Sequence, residues 1–285
     1  MTEPCLLPTV GPDQTPARVM TIAGSDSGGG AGIQADMRTF ALLGLHACVA
    51  VTAVTVQNTL GVTGIEKISP ETVAAQIRSV VSDIGVDAVK TGMLASAPII
   101  DAIADTCDEL GIGGGRDVPL VVDPVCASMH GDPLLAADAL DTLIRRMIPL
   151  ADVVTPNLDE VRLITGIDVV DAATQRDAAR ALRDLGARWA LVKGGHLRDS
   201  EVSPDLLFDG DQFISMDTPR IDTPHDHGAG DTLAAAICGA LAHGYSKPDA
   251  LEFAKGWVTK GLQCAYPLGA GHGPVNPLWR VHSPS

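Results

Sequence analysis

"DVVTPNLDEVRLITG", Asp152 to Gly166, passes from a β-branched run to a helical pattern within a few residues. Asp152–Thr155 reads as a short buried strand. Thr155 can cap a helix that starts at Pro156, whose locked φ suits a first turn, and Gly166 can end it. A strand feeding straight into a helix is half of a βαβ unit, and the unit recurs outward from this stretch in both directions. Strand patterns appear at 19–23, 47–56, 87–92, 119–123 and 189–193. Helical patterns lie between them. Ser69 caps one that carries Pro70 in its first turn and Val73, Ile77, Val80, Val81 and Ile84 on one face. Another, over 174–185, groups Ala178, Leu182 and Leu185 ahead of Gly186. Such alternation predicts right-handed crossovers and a mainly parallel sheet covered on both sides.

Beyond Lys193 the pattern changes. "PDLLFDGDQFISM" holds two strand patterns around Asp209–Gly210, which predicts an antiparallel hairpin added to the sheet edge. Helices are then expected from Ala229 to Ala242 and from Ser246 to about Cys264. No repeat or linker divides the chain, so residues 18–285 are expected to form one domain. Residues 1–17, rich in Pro and Thr, are expected to be a disordered tail.

Composition narrows the class. Of 285 residues 46% are hydrophobic but only 3% aromatic, so small aliphatic side chains must fill the interior, as in helices packed on a parallel sheet. The net charge of −15 opposes nucleic-acid binding, and any phosphate substrate must be held by local cations, a metal or oriented amides. The six cysteines are scattered without a CxxC pair, which suits free thiols in a reducing cytoplasm. No run long enough to span a membrane is present.

Ligands of open α/β sheets bind beyond the carboxyl ends of the strands, and several strand ends here carry unusual residues. "AGSDSGGGAGIQAD" (23–36) lets backbone approach a small flat ligand and offers Asp26 and Asp36; its glycine spacing is not a dinucleotide fingerprint. Gln57 can donate to and accept from a heterocycle edge. Asp123, held extended by the following proline, can point into the crevice. Asn157 and Glu160 share one side of a first helical turn, where a carboxylate can order the waters of Mg²⁺; the alternative for Glu160 is a first-turn charge favoured by the helix dipole. Lys193 is a candidate phosphate partner. "HDH" (225–227) lacks a third metal ligand and reads as a loop. Gly228, Ala229 and Gly230 expose amides at a helix start, and Asp231 beside them can take a proton from an attacking alcohol.

In the order NxxE, strand-end Lys, GAGD, the chain resembles the ribokinase superfamily. "TIAGSDSGGGAGIQADMRTF", "TAVTVQN", "TGMLAS", "VVDPV", "GDPLL", "TPNLDEVRLITG", "KGGH", "HGAGDTLAAAI" and "GAGHGPVNP" make it similar, within that superfamily, to the bacterial hydroxymethylpyrimidine/phosphomethylpyrimidine kinases of thiamine biosynthesis, over Arg18 to Trp279. The resemblance implies an α/β, three-layer α/β/α sandwich and an ATP- and Mg²⁺-dependent kinase acting on hydroxymethylpyrimidine and its monophosphate. It implies an anion hole at Gly228–Gly230, Asp231 as base, and Gln57, Gly24, Asp36 and Met93 around the pyrimidine. It also implies Asn157, Lys193 and Thr223 around the nucleotide, with Glu160 and Asp123 toward the metal, and a homodimer. Asp231 stands where many relatives carry Cys, and Met129 where they often carry Lys, leaving His130 or a metal to supply positive charge. Pyridoxal kinase activity and a non-catalytic pyrimidine sensor are the alternative functions.

Overall fold

The computed structural model describes residues 10–11, 13–127, 134–136, 138–195 and 202–281. Met129, His130 and His196 lie outside the described residues, as does most of the expected tail. The elements, in chain order, are β1 (Arg18–Ser25), α1 (Gly32–Leu42), β2 (His46–Asn58), β3 (Gly61–Lys67), α2 (Pro70–Asp83), β4 (Ala88–Thr91) and α3 (Ala97–Leu110). There follow β5 (Leu120–Val122), α4 (Leu140–Thr142), which continues through a π-type and a 3₁₀ turn to Leu150, β6 (Val153–Val154) and α5 (Leu158–Thr165). Next come α6 (Ala172–Asp184), β7 (Ala190–Val192), β8 (Val202–Phe208), β9 (Phe213–Pro219), α7 (Ala229–Ala242) and α8 (Lys247–Gln263), followed by a 3₁₀ turn over Pro277–Val281.

The strands form one nine-stranded sheet in the order β3-β2-β1-β4-β5-β6-β7-β8-β9. The six strands from β2 to β7 in that order pair in parallel, and all six coincide with the runs read from the sequence. The expected hairpin is β8–β9, joined where Asp209 Oδ1 accepts from the amides of Asp211 and Gln212, both at 2.7 Å. The opposite edge is antiparallel too: β2 runs on to Asn58 and turns through Thr59–Leu60 into β3. That second hairpin was not expected, because "TLG" lacks the Asn-Gly type of turn signal. α3, whose terminal Gly111 adopts a left-handed φ of 71°, was not expected either.

Two apolar layers flank the sheet. Met20, Val89, Leu120, Val122, Val154 and Val192 face α2 to α6, whereas Val19, Ala88, Val121, Val153 and Leu191 face α1, α7 and α8. The parity follows from the two-residue period of a strand, and burial on both sides explains why these strands read as continuous apolar runs. Ser69 caps α2 as predicted, accepting from the Thr72 amide, while Ile84 falls at the C-cap and is exposed. The predicted start of α5 is corrected. Its N-cap is Asn157, whose side chain accepts from the Glu160 amide while the Glu160 side chain accepts from the Asn157 amide. Thr155 is unavailable as a cap because its hydroxyl donates to Asp123 Oδ1 at 2.9 Å. α6 likewise starts two residues earlier than predicted, capped by Asp171 with Thr174. No helix among the described residues is long and apolar enough to cross a membrane.

Candidate active site

Strand parity builds the site. On the face toward α1 and α7, the residues in phase with Val19, Ala88, Val121, Val153 and Leu191 are Thr21, Lys90, Asp123, Thr155 and Lys193. Each is two residues further along the chain, Thr21 and Lys90 within their strands and the other three just past the ends of theirs. The apolar floor therefore gives way to polar side chains near the carboxyl ends, where α7 begins.

Lys90 is fully buried, and its Nζ lies 2.9 Å from both oxygens of Asp36 and 3.2 Å from Asp231 Oδ1. Thr21 Oγ1 donates to Asp36 Oδ2 at 2.6 Å. Burial works against the Lys90 charge, but the Asp36 and Asp231 carboxylates outweigh it and hold the group an ammonium. Burial pushes the Asp36 carboxyl up to about 7, opposed by Lys90 and helped by the charge on Asp231. Asp36 was expected to line the pyrimidine pocket. It has no exposed surface, and its partners place it beneath Asp231 instead.

Across the cleft, Lys193 Nζ meets Asp123 Oδ1 at 3.0 Å. Burial opposes the Lys193 charge as well, and Asp123 and Glu160 raise its pKa past that penalty. Glu160, buried and holding the Asn157 amide at 2.8 Å, is pushed up to about 7 by desolvation against the pull of Lys193, with the Asp123 charge adding to the rise. Asn157 and Glu160 are thus joined to each other as a helix cap.

The N-cap of α7 is Gly228, whose φ of 78° places it in the left-handed region. A Cβ there would collide with the Gly30 carbonyl oxygen. The expected anion hole needs one change: the Ala229 amide closes a turn onto Asp226 O at 3.0 Å. The amides of Gly228, Gly230 and Asp231 have no partner among the described residues and form the open tip. A Cβ on Gly230 would stand 3.4 Å from Lys193 Nζ and 3.7 Å from Asp123 Oδ2, so the tip, Lys193 and Asp123 adjoin.

The glycine-rich stretch wraps Asp26. Its carboxylate accepts from the amides of Gly28 (2.7 Å), Gly30 (2.9 Å) and Ala31 (2.8 Å), and His227 Nε2 lies 2.9 Å from Oδ2. Burial pushes that carboxyl up, but His227 and the amides outweigh it and hold the pKa below the usual range. His227 therefore ties the glycine loop to the tip of α7, and "HDH" is a loop, as read. His225 Nδ1 accepts from the Gly273 amide, and no group of three metal-ligating side chains occurs among the described residues.

Gln57 is half-buried in β2, its Oε1 3.2 Å from Thr55 Oγ1 and its backbone bonded to Ser27 Oγ of the glycine loop. Met93 packs its sulfur against Gly24, where a Cβ would lie 3.0 Å from Sδ. Thr223 accepts from the His225 amide at 3.1 Å, and none of its hydrogen bonds reaches the charged cluster. Sequence reasoning missed Lys90 and His227. A signal existed for Lys90, since a lysine in a strand buried on both faces must be paired.

Open amides at a helix start, a carboxylate clamped beside them and an ammonium across the cleft are the parts of an enzyme that transfers phosphoryl groups. The phosphomethylpyrimidine kinase family model matches residues 26–276. A hydroxymethylpyrimidine/phosphomethylpyrimidine kinase of Mycobacterium leprae is 63% identical over 278 residues, 96% of this chain and 98% of that one. Its counterpart in Streptomyces coelicolor is 50% identical over 95% of this chain and 97% of that protein. Among solved structures, the ADP complex of Bacillus subtilis pyridoxal kinase superposes with a TM-score of 0.85 at 33% identity, covering 94% of this chain and all of that one. The phosphomethylpyrimidine kinase of Clostridium difficile gives 0.75 at 36% identity, over 86% and 98%. The chain belongs to the phosphomethylpyrimidine kinase family and has its ribokinase-like fold.

Proposed function

We propose that the protein transfers the γ-phosphoryl group of ATP to the hydroxymethyl oxygen of 4-amino-5-hydroxymethyl-2-methylpyrimidine, and then a second phosphoryl group to the monophosphate, in thiamine biosynthesis. Asp231 accepts the hydroxyl proton as the oxygen–phosphorus bond forms and the bond to the β-phosphate oxygen breaks. The amides of Gly228, Gly230 and Asp231 hold the charge on the transferred group, and Lys193 neutralises the phosphates. Gln57, Gly24 and Met93 border the ring. The observation that carries this reading is the Asp231 carboxylate fixed by Lys90 beside the open amides, with Lys193 adjoining.

Mg²⁺ fits the charge balance of the site. Four carboxylates (Asp36, Asp123, Glu160, Asp231) face two ammoniums (Lys90, Lys193), and Asp123 Oδ2 is left open where Oδ1 takes Thr155 and Lys193. Mg²⁺ needs only one or two carboxylates when substrate phosphates and water complete its shell. Asp123 would hold it directly and Glu160 from behind; when bound it supplies charge neutralisation on the phosphates.

Pyridoxal phosphorylation is a second reading, favoured by the 0.85 TM-score to a pyridoxal kinase. Side-by-side kcat/KM on the two alcohols separates them, and a higher value for pyridoxal would replace the substrate proposed. The four described buried thiols support a cytoplasmic setting, and the exposed Val54, Val56 and Leu60 support a homodimer, which sedimentation would test. For the mechanism, Asp231→Asn should lower turnover roughly a hundredfold or more, followed by an assay that separates monophosphate from diphosphate. Near-normal formation of both products would remove Asp231 from the mechanism.

A further inference from the structure

We propose that Lys90 and Asp36 act as a positioning pair for Asp231: Lys90 fixes one of its carboxylate oxygens, and Asp36 takes up the rest of the ammonium's hydrogen bonding and balances its charge. The proposal rests on Asp231 being the base. An ammonium has three hydrogens to donate. Lys90 directs its Nζ to both Asp36 oxygens and to Asp231 Oδ1, which leaves Asp231 Oδ2 for a substrate hydroxyl. The position is enforced by packing. Lys90 and Asp36 are fully buried, and a Cβ on Gly92 would lie 3.1 Å from Lys90 Nζ and 3.8 Å from Asp231 Oδ1, which closes that side.

The charges explain why two residues are needed. Lys90 alone beside Asp231 would neutralise the carboxylate and make it a weak proton acceptor. Asp36 takes up most of the ammonium's hydrogen bonding, so with both carboxylates ionised the three groups together carry one negative charge. Thr21 holds Asp36 in turn and stops its Oδ2 from swinging away. The other groups facing this cluster are Lys193 and Asp123 at the ends of β7 and β5, Glu160 behind them on α5, and Cys238 further along α7. All of these stay in place in the variants below.

The test is the pH profile of kcat/KM for the pyrimidine alcohol at saturating Mg·ATP. Lys90→Met should move the acid limb to higher pH by about one unit or more, the size expected when an opposite charge within hydrogen-bond reach is lost. Asp36→Asn should move it the other way and lower the plateau severalfold, because a less basic carboxylate accepts a proton less readily. The double variant removes both buried charges and should return the limb toward its original pH with a lowered kcat. A residue needed only for folding would not produce opposite shifts. If Lys90→Met does not fold, the direction of the Asp36→Asn shift relative to wild type decides. Shifts in the same direction, or an unmoved limb alongside an inactive Asp231→Asn protein, would overturn the pairing. An active Asp231→Asn protein would instead overturn the base assignment on which it rests.

Discussion

Replacing Gly228 with alanine tests how the active site is assembled. Gly228 has φ 78° and ψ 13°, a conformation that costs an L-residue about 1–2 kcal/mol. The added methyl would also run into the Gly30 carbonyl oxygen, so the tip of α7 and the glycine loop must part. Gly166 provides a matched control. It has φ 75°, ends α5, and a Cβ there meets nothing within 4 Å. Gly166→Ala therefore carries the backbone strain without the collision. Gly166→Ala should melt roughly 2–3 °C below wild type, from that strain spread over the unfolding entropy of a chain this long, and Gly228→Ala lower still because the collision adds to it. Only Gly228→Ala should lose activity, by about a hundredfold in kcat/KM, the scale on which an ångström of misplacement acts. Calorimetry and steady-state kinetics on the purified variants measure the two effects. Gly228→Ala turnover within threefold of the Gly166→Ala value would refute the claim that loop and tip must touch for catalysis.

Asn157→Ala should cost about 1 kcal/mol of stability through the lost cap and Asn157→Asp should cost little, both read from denaturant midpoints. A KM for ATP raised in the Asp variant without loss of stability would give Asn157 a nucleotide role beyond capping. Gln57→Ala should raise KM for the pyrimidine severalfold with KM for ATP unchanged; the reverse pattern would take Gln57 out of the pocket. Asp36 and Glu160 are both pushed up to about 7 by burial, above the roughly 4 of an unfolded carboxyl. Between those values the folded chain holds protons that the unfolded chain releases, so stability should fall as pH rises from about 4 to 7 and level off above that. A melting temperature that climbs across this window would contradict it, and Glu160→Gln should flatten the slope.

The sequence alone determined the class of fold. Six parallel strands, the β8–β9 hairpin and helices α2, α7 and α8 were legible because strand and helix periods and a cap such as Ser69 act over a few residues. It also drew attention to Asp123 and Lys193 at two strand ends and to Asp231 in the first turn of α7, which the structure brings close together. Tertiary structure decided what those residues face. Nothing local in "DAVKTG" says that Lys90 reaches Asp36, 54 positions away, and Asp231, 141 away. Nothing in "HDH" says that His227 closes on Asp26, 201 positions away. Asn157 and Glu160 show the converse: a spacing that suggests metal chemistry also makes a helix cap, and only the hydrogen bonds show that the cap is formed. Side-chain period is written locally in a chain, but the partner of a buried charge is chosen by the strand order that carries it into the core.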